Sequence, residues 1–316
     1  MKKTLFLVSP RGFCAGVARA VKAVEDALEI FGAPVYVKHE IVHNKHVVSA
    51  LQKKGAVTVD ELAKIPDGSV VVFSAHGSTP LQYEEVKRRG MRLIDATCPL
   101  VTKVHLEVHR FLKEGYTIVY IGHKGHIEGI GVLAEAAGIA IPVIETVADV
   151  ASLEIGNPEK LVYLTQTTLS VDDTKEVVTA LRGKYPHIIA PPIEDICYAT
   201  TNRQEAVRHL AEKCDTVLVF GSTNSSNSRR LAETARAQGV SAYLVDDMSS
   251  FDMGLLSGSM NIGITAGASA PEEIVSEAVD FFREQGFSVS ELVVKEERMV
   301  FSEPLDMMRI KKERQL

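Results

Sequence analysis

Thr4-Leu5-Phe6-Leu7-Val8 is followed by Ser9-Pro10-Arg11-Gly12-Phe13-Cys14-Ala15-Gly16, and then by Val17, Val21, Val24 and Leu28 at helical spacing. The first five residues form an apolar run without polar alternation, which predicts a strand covered on both faces. The second group predicts a helix that buries one stripe. Between them lies a short, glycine-bearing segment that carries a cysteine. This strand–motif–helix unit decides the architecture, because the rest of the chain repeats it.

Further strands are predicted at Val35–Lys38, Val70–Phe73, Arg92–Ile94, Thr117–Ile121, Leu161–Leu164, Thr216–Phe220 and Asn261–Thr265, with helical patterns between them. Such alternation predicts an α/β fold of parallel sheets. The unusual motifs follow these strands directly. They are His39-Glu40-Ile41-Val42-His43-Asn44, Ser74-Ala75-His76-Gly77, Asp95-Ala96-Thr97-Cys98-Pro99, Gly122-His123-Lys124-Gly125-His126-Ile127-Glu128, Thr165-Gln166-Thr167-Thr168, Gly221-Ser222-Thr223-Asn224-Ser225-Ser226-Asn227 and Ala266-Gly267-Ala268-Ser269. In open parallel sheets ligands bind beyond the carboxyl ends of the strands, so these motifs are expected to serve one site.

A chain of 316 residues with 46% hydrophobic content has room for two or three domains. Its net charge of −6 does not suggest nucleic acid or an anionic membrane as a partner. The same charge shifts any phosphate binding from an Arg/Lys cage to histidines, hydroxyls and backbone N–H groups. The apolar run after Met1-Lys2-Lys3 is too short for a signal peptide and reads as a strand. No stretch approaches the roughly 18 apolar residues of a membrane span. The 4 cysteines are too few for a disulfide scaffold. A soluble, cytoplasmic protein is expected.

Cys14, Cys98 and Cys197 each stand at or just before a predicted helix start. Pro99 suits a first helical position, and Thr201 to Gln204 reads as a capping box. Free N–H groups and the helix dipole favour a thiolate there, the form that binds metal. The three are separated by 84 and 99 residues, consistent with one cysteine per α/β unit. A single such cysteine is more often an ordinary buried one; three in one local setting reverse that weighting. Cys214 has no such motif and is assigned to structure. No Cys-x-x-Cys pair occurs, so residue types leave open both a three-thiolate zinc site and a cubane cluster with one open iron.

Ser225, Ser226 and Asn227 open a predicted helix and form a candidate anion cradle, as does Ser269 read as an N-cap with Pro271 in the first turn. Simple capping explains either alone equally well, but Gly221 and Gly267 permit close backbone approach. No Walker A pattern is present. His43, His76 and His126 occupy equivalent strand-end motifs and suit a diphosphate. Glu128 is the candidate proton carrier, since a sheltered carboxyl has a raised pKa. Thr167 and Thr168 are placed to orient it.

Together these motifs resemble the 4-hydroxy-3-methylbut-2-enyl diphosphate reductase (LytB/IspH) family, which acts last in the non-mevalonate isoprenoid pathway. The resemblance runs from Pro10–Val17 to Thr265–Pro271. It is most specific at Asp95–Val101, Thr165–Ser170 and Ile196–Gln204. It implies three similar parallel-sheet α/β domains in a pseudo-threefold trefoil around a 4Fe–4S cluster. Cys14, Cys98 and Cys197 match the ligands, and one iron stays open for substrate. His43, His76 and His126 match the family's diphosphate-side histidines, and Ser225, Ser226, Asn227 and Ser269 its phosphate-binding residues; Thr168 is added as a candidate substrate-binding residue. Glu128 matches the family's proton donor and Thr167 its substrate-site threonine, and both are taken as catalytic. Gly129-Ile130-Gly131 is shorter than the corresponding loop of some members.

The expected domains are 1–96, 97–193 and 194–282, carrying Cys14, Cys98 and Cys197 respectively, with 283–316 packing back on the core. Two electrons are needed and no flavin or NAD fingerprint is present, so an external ferredoxin or flavodoxin is expected. A zinc-dependent hydrolase of a phosphorylated metabolite is the rival enzyme reading. A non-catalytic redox or iron sensor would have no use for the phosphate motifs.

Overall fold

The computed structural model describes residues 3–315. Its strands are β1 (Thr4–Ser9), β2 (Val35–Lys38), β3 (Ala56–Val59), β4 (Val70–Phe73), β5 (Arg92–Asp95), β6 (Thr117–Ile121), β7 (Val143–Ile144), β8 (Leu161–Thr165), β9 (Thr216–Phe220), β10 (Ser241–Val245), β11 (Asn261–Ala266) and β12 (Ser288–Val293). Its helices are α1 (Ala15–Phe31), α2 (Lys45–Lys53), α3 (Pro80–Arg88), α4 (Pro99–Lys113), α5 (Ile127–Ala134), α6 (Val147–Ser152), α7 (Val171–Lys184), α8 (Tyr198–Ala211), α9 (Ser226–Ala237), α10 (Glu272–Glu284) and α11 (Leu305–Arg314). All eight expected strands are present, in three parallel sheets, so the α/β class holds.

The chain divides into two compact units. One comprises Met1–Val17, His43–Ser49 and Tyr198–Val300. It holds a five-stranded sheet in the order β10-β9-β11-β1-β12. Alternate residues of one strand serve two cores. Leu218 and Phe220 pack with Ile274, Ala278 and Phe282 of α10, while Val217 and Val219 pack with Val207 and Leu210 of α8 and Leu231 of α9. Burial on both faces is why β9 reads as an unbroken apolar run. β1 lies beside β11 and β12, not in a sheet of its own amino-terminal third. Leu5 and Leu7 enter one core and Val8 the other.

The second unit comprises Ala18–Val42, Ala50–Cys197 and Phe301–Leu316. It holds two sheets, β3-β2-β4-β5 and β7-β6-β8. On β6, Ile118 and Tyr120 face Val104, Val108 and Phe111 of α4, and Val119 and Ile121 face Val177 and Leu181 of α7. In the other sheet Val71 and Phe73 pack against Leu62, Ile65 and Val86. No helix of the described residues is long and apolar enough to cross a membrane.

Candidate functional site

Within the first unit, the carboxyl ends of β9 and β11 carry the hydroxyl and amide motifs. Ser225 caps α9, accepting from the Ser228 N–H at 3.3 Å, and Ser226 and Asn227 fill the first turn. All three are buried, so their placement is set by packing. Asn227 turns its Oδ1 to the Ala268 N–H at 2.8 Å, which ties the two strand-end loops together. Ser269 does not cap α10, whose N-cap is Pro271. Its hydroxyl instead donates to the His43 carbonyl at 3.0 Å. The Lys45 N–H donates to the Ser222 Oγ at 3.1 Å, and the Lys45 ammonium lies 3.1 Å from Asp246. His43 therefore enters this unit on a segment held at both ends by the sheet's carboxyl edge. Side chains leave no slack there, since a Cβ on Gly267 would lie 2.0 Å from the Ser228 Oγ.

In the second unit, His39, His76 and His126 form a row of edge-on rings with centroids 6.2 and 6.4 Å apart. The His76 Nδ1 lies 3.3 Å from the Ser74 Oγ. His126 is the N-cap of α5, its Nδ1 accepting from the Glu128 N–H at 3.2 Å. An accepting Nδ1 leaves the proton of a neutral ring on Nε2. Glu128 lies in the first turn of α5 and is only 2% exposed. The Thr167 N–H and hydroxyl donate to its two carboxyl oxygens at 2.7 and 2.9 Å. Burial pushes its pKa up to about 7, against the opposing pull of the Thr167 bonds and of the nearby His105. Thr168 accepts from the Gln166 Nε2 at 3.0 Å.

Sequence reasoning passed over three supporting residues. Gln166 is fully buried, and its Oε1 receives the His123 N–H at 3.0 Å, joining the loops after β6 and β8. His105 is anchored by Glu135 at 2.8 Å and fills the space beside Gly77 and Gly131, where a Cβ on Gly77 would lie 2.9 Å from its Nε2. His39 has φ +63°, a conformation few residues other than glycine adopt. Among these only Gln166 and His39 stood inside a strand-end motif.

The cysteines divide by setting. Cys14 immediately precedes α1, Cys98 is the N-cap of α4, and Cys197 immediately precedes α8. All three are half-buried and free of disulfides. The Val17 N–H points to the Cys14 Sγ at 3.5 Å. The Cys197 N–H donates to the Thr167 carbonyl at 3.1 Å, joining that cysteine to the Glu128 pocket. Because α8 starts at Tyr198, the expected capping box at Thr201 to Gln204 lies within the helix. There Arg203, completely buried, donates to the Gly12 carbonyl at 2.7 Å and pairs with Glu297 at 3.1 Å, which fixes the loop before Cys14. Cys214 is buried and its thiol is pushed up to about 12, as suits a structural residue. Each of the three thiols stands at a helix start, a setting that favours the thiolate form and so suits a metal-binding cysteine. Among the described residues no group of three or more His, Cys, Asp or Glu side chains is arranged to hold a single metal ion.

The family model described as LytB protein matches residues 5–283. The chain is 52% identical over 309 residues to a protein of Neisseria meningitidis serogroup C named 4-hydroxy-3-methylbut-2-enyl diphosphate reductase, covering 98% of this chain and 96% of that one. A protein of Acinetobacter baumannii with the same name is 51% identical over 307 residues, covering 96% and 97%. The solved E-1-hydroxy-2-methyl-but-2-enyl-4-diphosphate reductase of Plasmodium falciparum superposes with a TM-score of 0.96 at 39% identity, over 100% of both chains.

Proposed function

Because this chain belongs to the LytB protein family, we propose that it reductively dehydroxylates 4-hydroxy-3-methylbut-2-enyl diphosphate to isopentenyl and dimethylallyl diphosphate, the terminal step of the non-mevalonate pathway. The observation that carries the reading is Glu128, a buried carboxyl near neutrality tethered at both oxygens to Thr167. Such a group keeps a substantial protonated fraction near neutral pH, where an ordinary carboxyl is ionised, and can give that proton to a leaving hydroxyl.

Cys14, Cys98 and Cys197 are the proposed ligands of a 4Fe–4S cluster, which when bound supplies electrons and an open iron for the substrate oxygen. The protein's own groups do the rest. The N-terminus of α9, with Ser225, Ser226 and Asn227, offers N–H and hydroxyl donors to a diphosphate. Ser269 and His43 lie at the same sheet edge, and His76 and His126 add imidazole donors. Thr168 is assigned to substrate binding. Protonated Glu128 serves as the acid, and the Thr167 hydroxyl fixes the direction in which its proton points. Two protons and two electrons convert the C–O bond to C–H and water. Electrons come from an external carrier such as a ferredoxin or flavodoxin, and a cytoplasmic location suits such a partner.

The zinc-dependent hydrolase reading finds no support, since the relatives are named as reductases. The test is anaerobic incubation of the protein with the allylic hydroxy-diphosphate and reduced methyl viologen. Appearance of the two isoprenoid diphosphates is expected. Unchanged substrate, with the cluster present and the reductant consumed elsewhere, would refute the assignment.

A further inference from the structure

A cleft of about 620 Å³ lies in the second unit between α4 and α11. Thr97 and Pro99, the neighbours of Cys98 on either side, line it. So do Leu106 and Leu305, which are 62% and 70% exposed. Large apolar side chains so open to water, paired across a cleft, mark a contact surface. The exposed Arg110 and Arg309 stand beside them, Arg110 3.7 Å from Glu114, and the last turn of α11 adds Lys312 and Arg314, its Lys311 being paired with Asp26 and Glu303. The acids that share the cleft are turned to other work. Asp306 accepts the Asp95 N–H at 3.2 Å, Asp95 holds the Thr97 hydroxyl at 2.5 Å, and Glu107 is 7% exposed.

We propose that this cleft is the docking surface for the electron carrier, a small acidic protein of the ferredoxin class. The inference rests on the preceding reading that Cys98 holds the cluster, and it adds the place of delivery. The chain carries a net charge of −6, so an acidic carrier is repelled by the molecule as a whole. A basic rim around an apolar centre attracts it locally. Small, weak interfaces of this composition suit encounters that must form and dissociate at every transfer. The cleft is lined by Thr97 and Pro99, the chain neighbours of Cys98, which keeps the transfer path short. Two reduced carriers each lose one electron, and the substrate takes both with two protons, breaking its C–O bond and releasing water.

The experiment compares the anaerobic holoenzyme with its R110E/R309E form, using two reductants, an acidic ferredoxin and methyl viologen. With ferredoxin at low salt, kcat/KM is expected to fall about tenfold or more, while the rate with methyl viologen changes less than about twofold. The R110K/R309K form should keep the ferredoxin rate, because it keeps the charge. Unaltered kinetics with ferredoxin would overturn the proposal, as would an equal fall with both reductants. Dissociation of a dimer by the double charge reversal, with carrier kinetics unchanged, would assign the face to a second copy of this chain and also overturn it. An unsubstituted protein inactive with methyl viologen would instead strike at the reductase reading itself.

Discussion

Glu128 and Glu107 lie in the same unit, are both buried, and are both pushed up to about 7, yet their surroundings differ in kind. Around Glu128 burial is opposed by hydrogen bonds from Thr167, a neutral residue at the end of β8. Around Glu107 burial is reinforced by the Asp195 carboxylate and opposed by Lys103, 3.7 Å away, and by Arg110. Asp195 is itself committed, pairing with Lys103 at 2.8 Å and accepting the Thr165 N–H at 2.8 Å. Glu107 is thus one member of a charge network that fastens α4 to the end of β8. Glu128 is an acid hydrogen-bonded by a hydroxyl and an amide of one neutral residue. A raised pKa alone does not mark a proton donor; what distinguishes Glu128 is that both of its hydrogen bonds come from the neutral Thr167, while His105 and Asp195 act on it only through their charges and in opposite directions.

That contrast breaks most sharply on Glu128→Gln. The amide keeps the shape and loses the acid, so kcat should fall about 10²–10⁴-fold with KM little changed, as read by steady-state assay. Full activity in this variant would end the proton-donor role. Next in size is Thr167→Val, which removes one bond that favours the carboxylate. Turnover is expected to drop about tenfold, the loss of one charge-assisted hydrogen bond. Activity that needs the protonated acid declines as pH rises through about 7, and in this variant the declining limb should move to higher pH. A pH–rate profile with an unmoved limb would detach Thr167 from Glu128.

The smallest effect is expected at Glu107→Gln. A carboxyl whose pKa is raised by folding binds its proton more tightly folded than unfolded. Its cost to stability therefore grows as pH climbs from near 4.5 to about 7 and persists above that. Glutamine removes this cost, and the thermal midpoint at pH 8 should rise by about 2–4 °C, the shift expected from about 1 kcal/mol in a domain of this size. Little change is expected at pH 5, and none in turnover. A large loss of turnover would erase the distinction between the two glutamates.

The eight strands legible in the sequence include every central strand, and the four it did not yield, β3, β7, β10 and β12, are all edges. The reason is burial. β9 is buried at every residue, whereas β12 reads Ser-Val-Ser-Glu-Leu-Val and is buried at none. An edge strand covered on fewer sides has no need of a continuous apolar run. The seat of β1 beside β11 and β12 was hidden for a different reason, since pairing across some 250 residues leaves no local signal. Most candidate site residues were legible because strand-end motifs break the apolar rhythm around them. His105 was not, because it sits mid-helix on α4 and meets Gly77 and Gly131 only through the fold. Ser269 was found, but as a helix cap rather than as the residue that holds the His43 backbone.

The most direct test of the central claim is the iron, sulfide and zinc content of the protein purified without oxygen, read together with its visible spectrum. The account predicts a brown protein with iron and sulfide in equal amounts and little zinc, and loss of both when Cys98 is replaced by serine but not when Cys214 is. A colourless protein with stoichiometric zinc would contradict it.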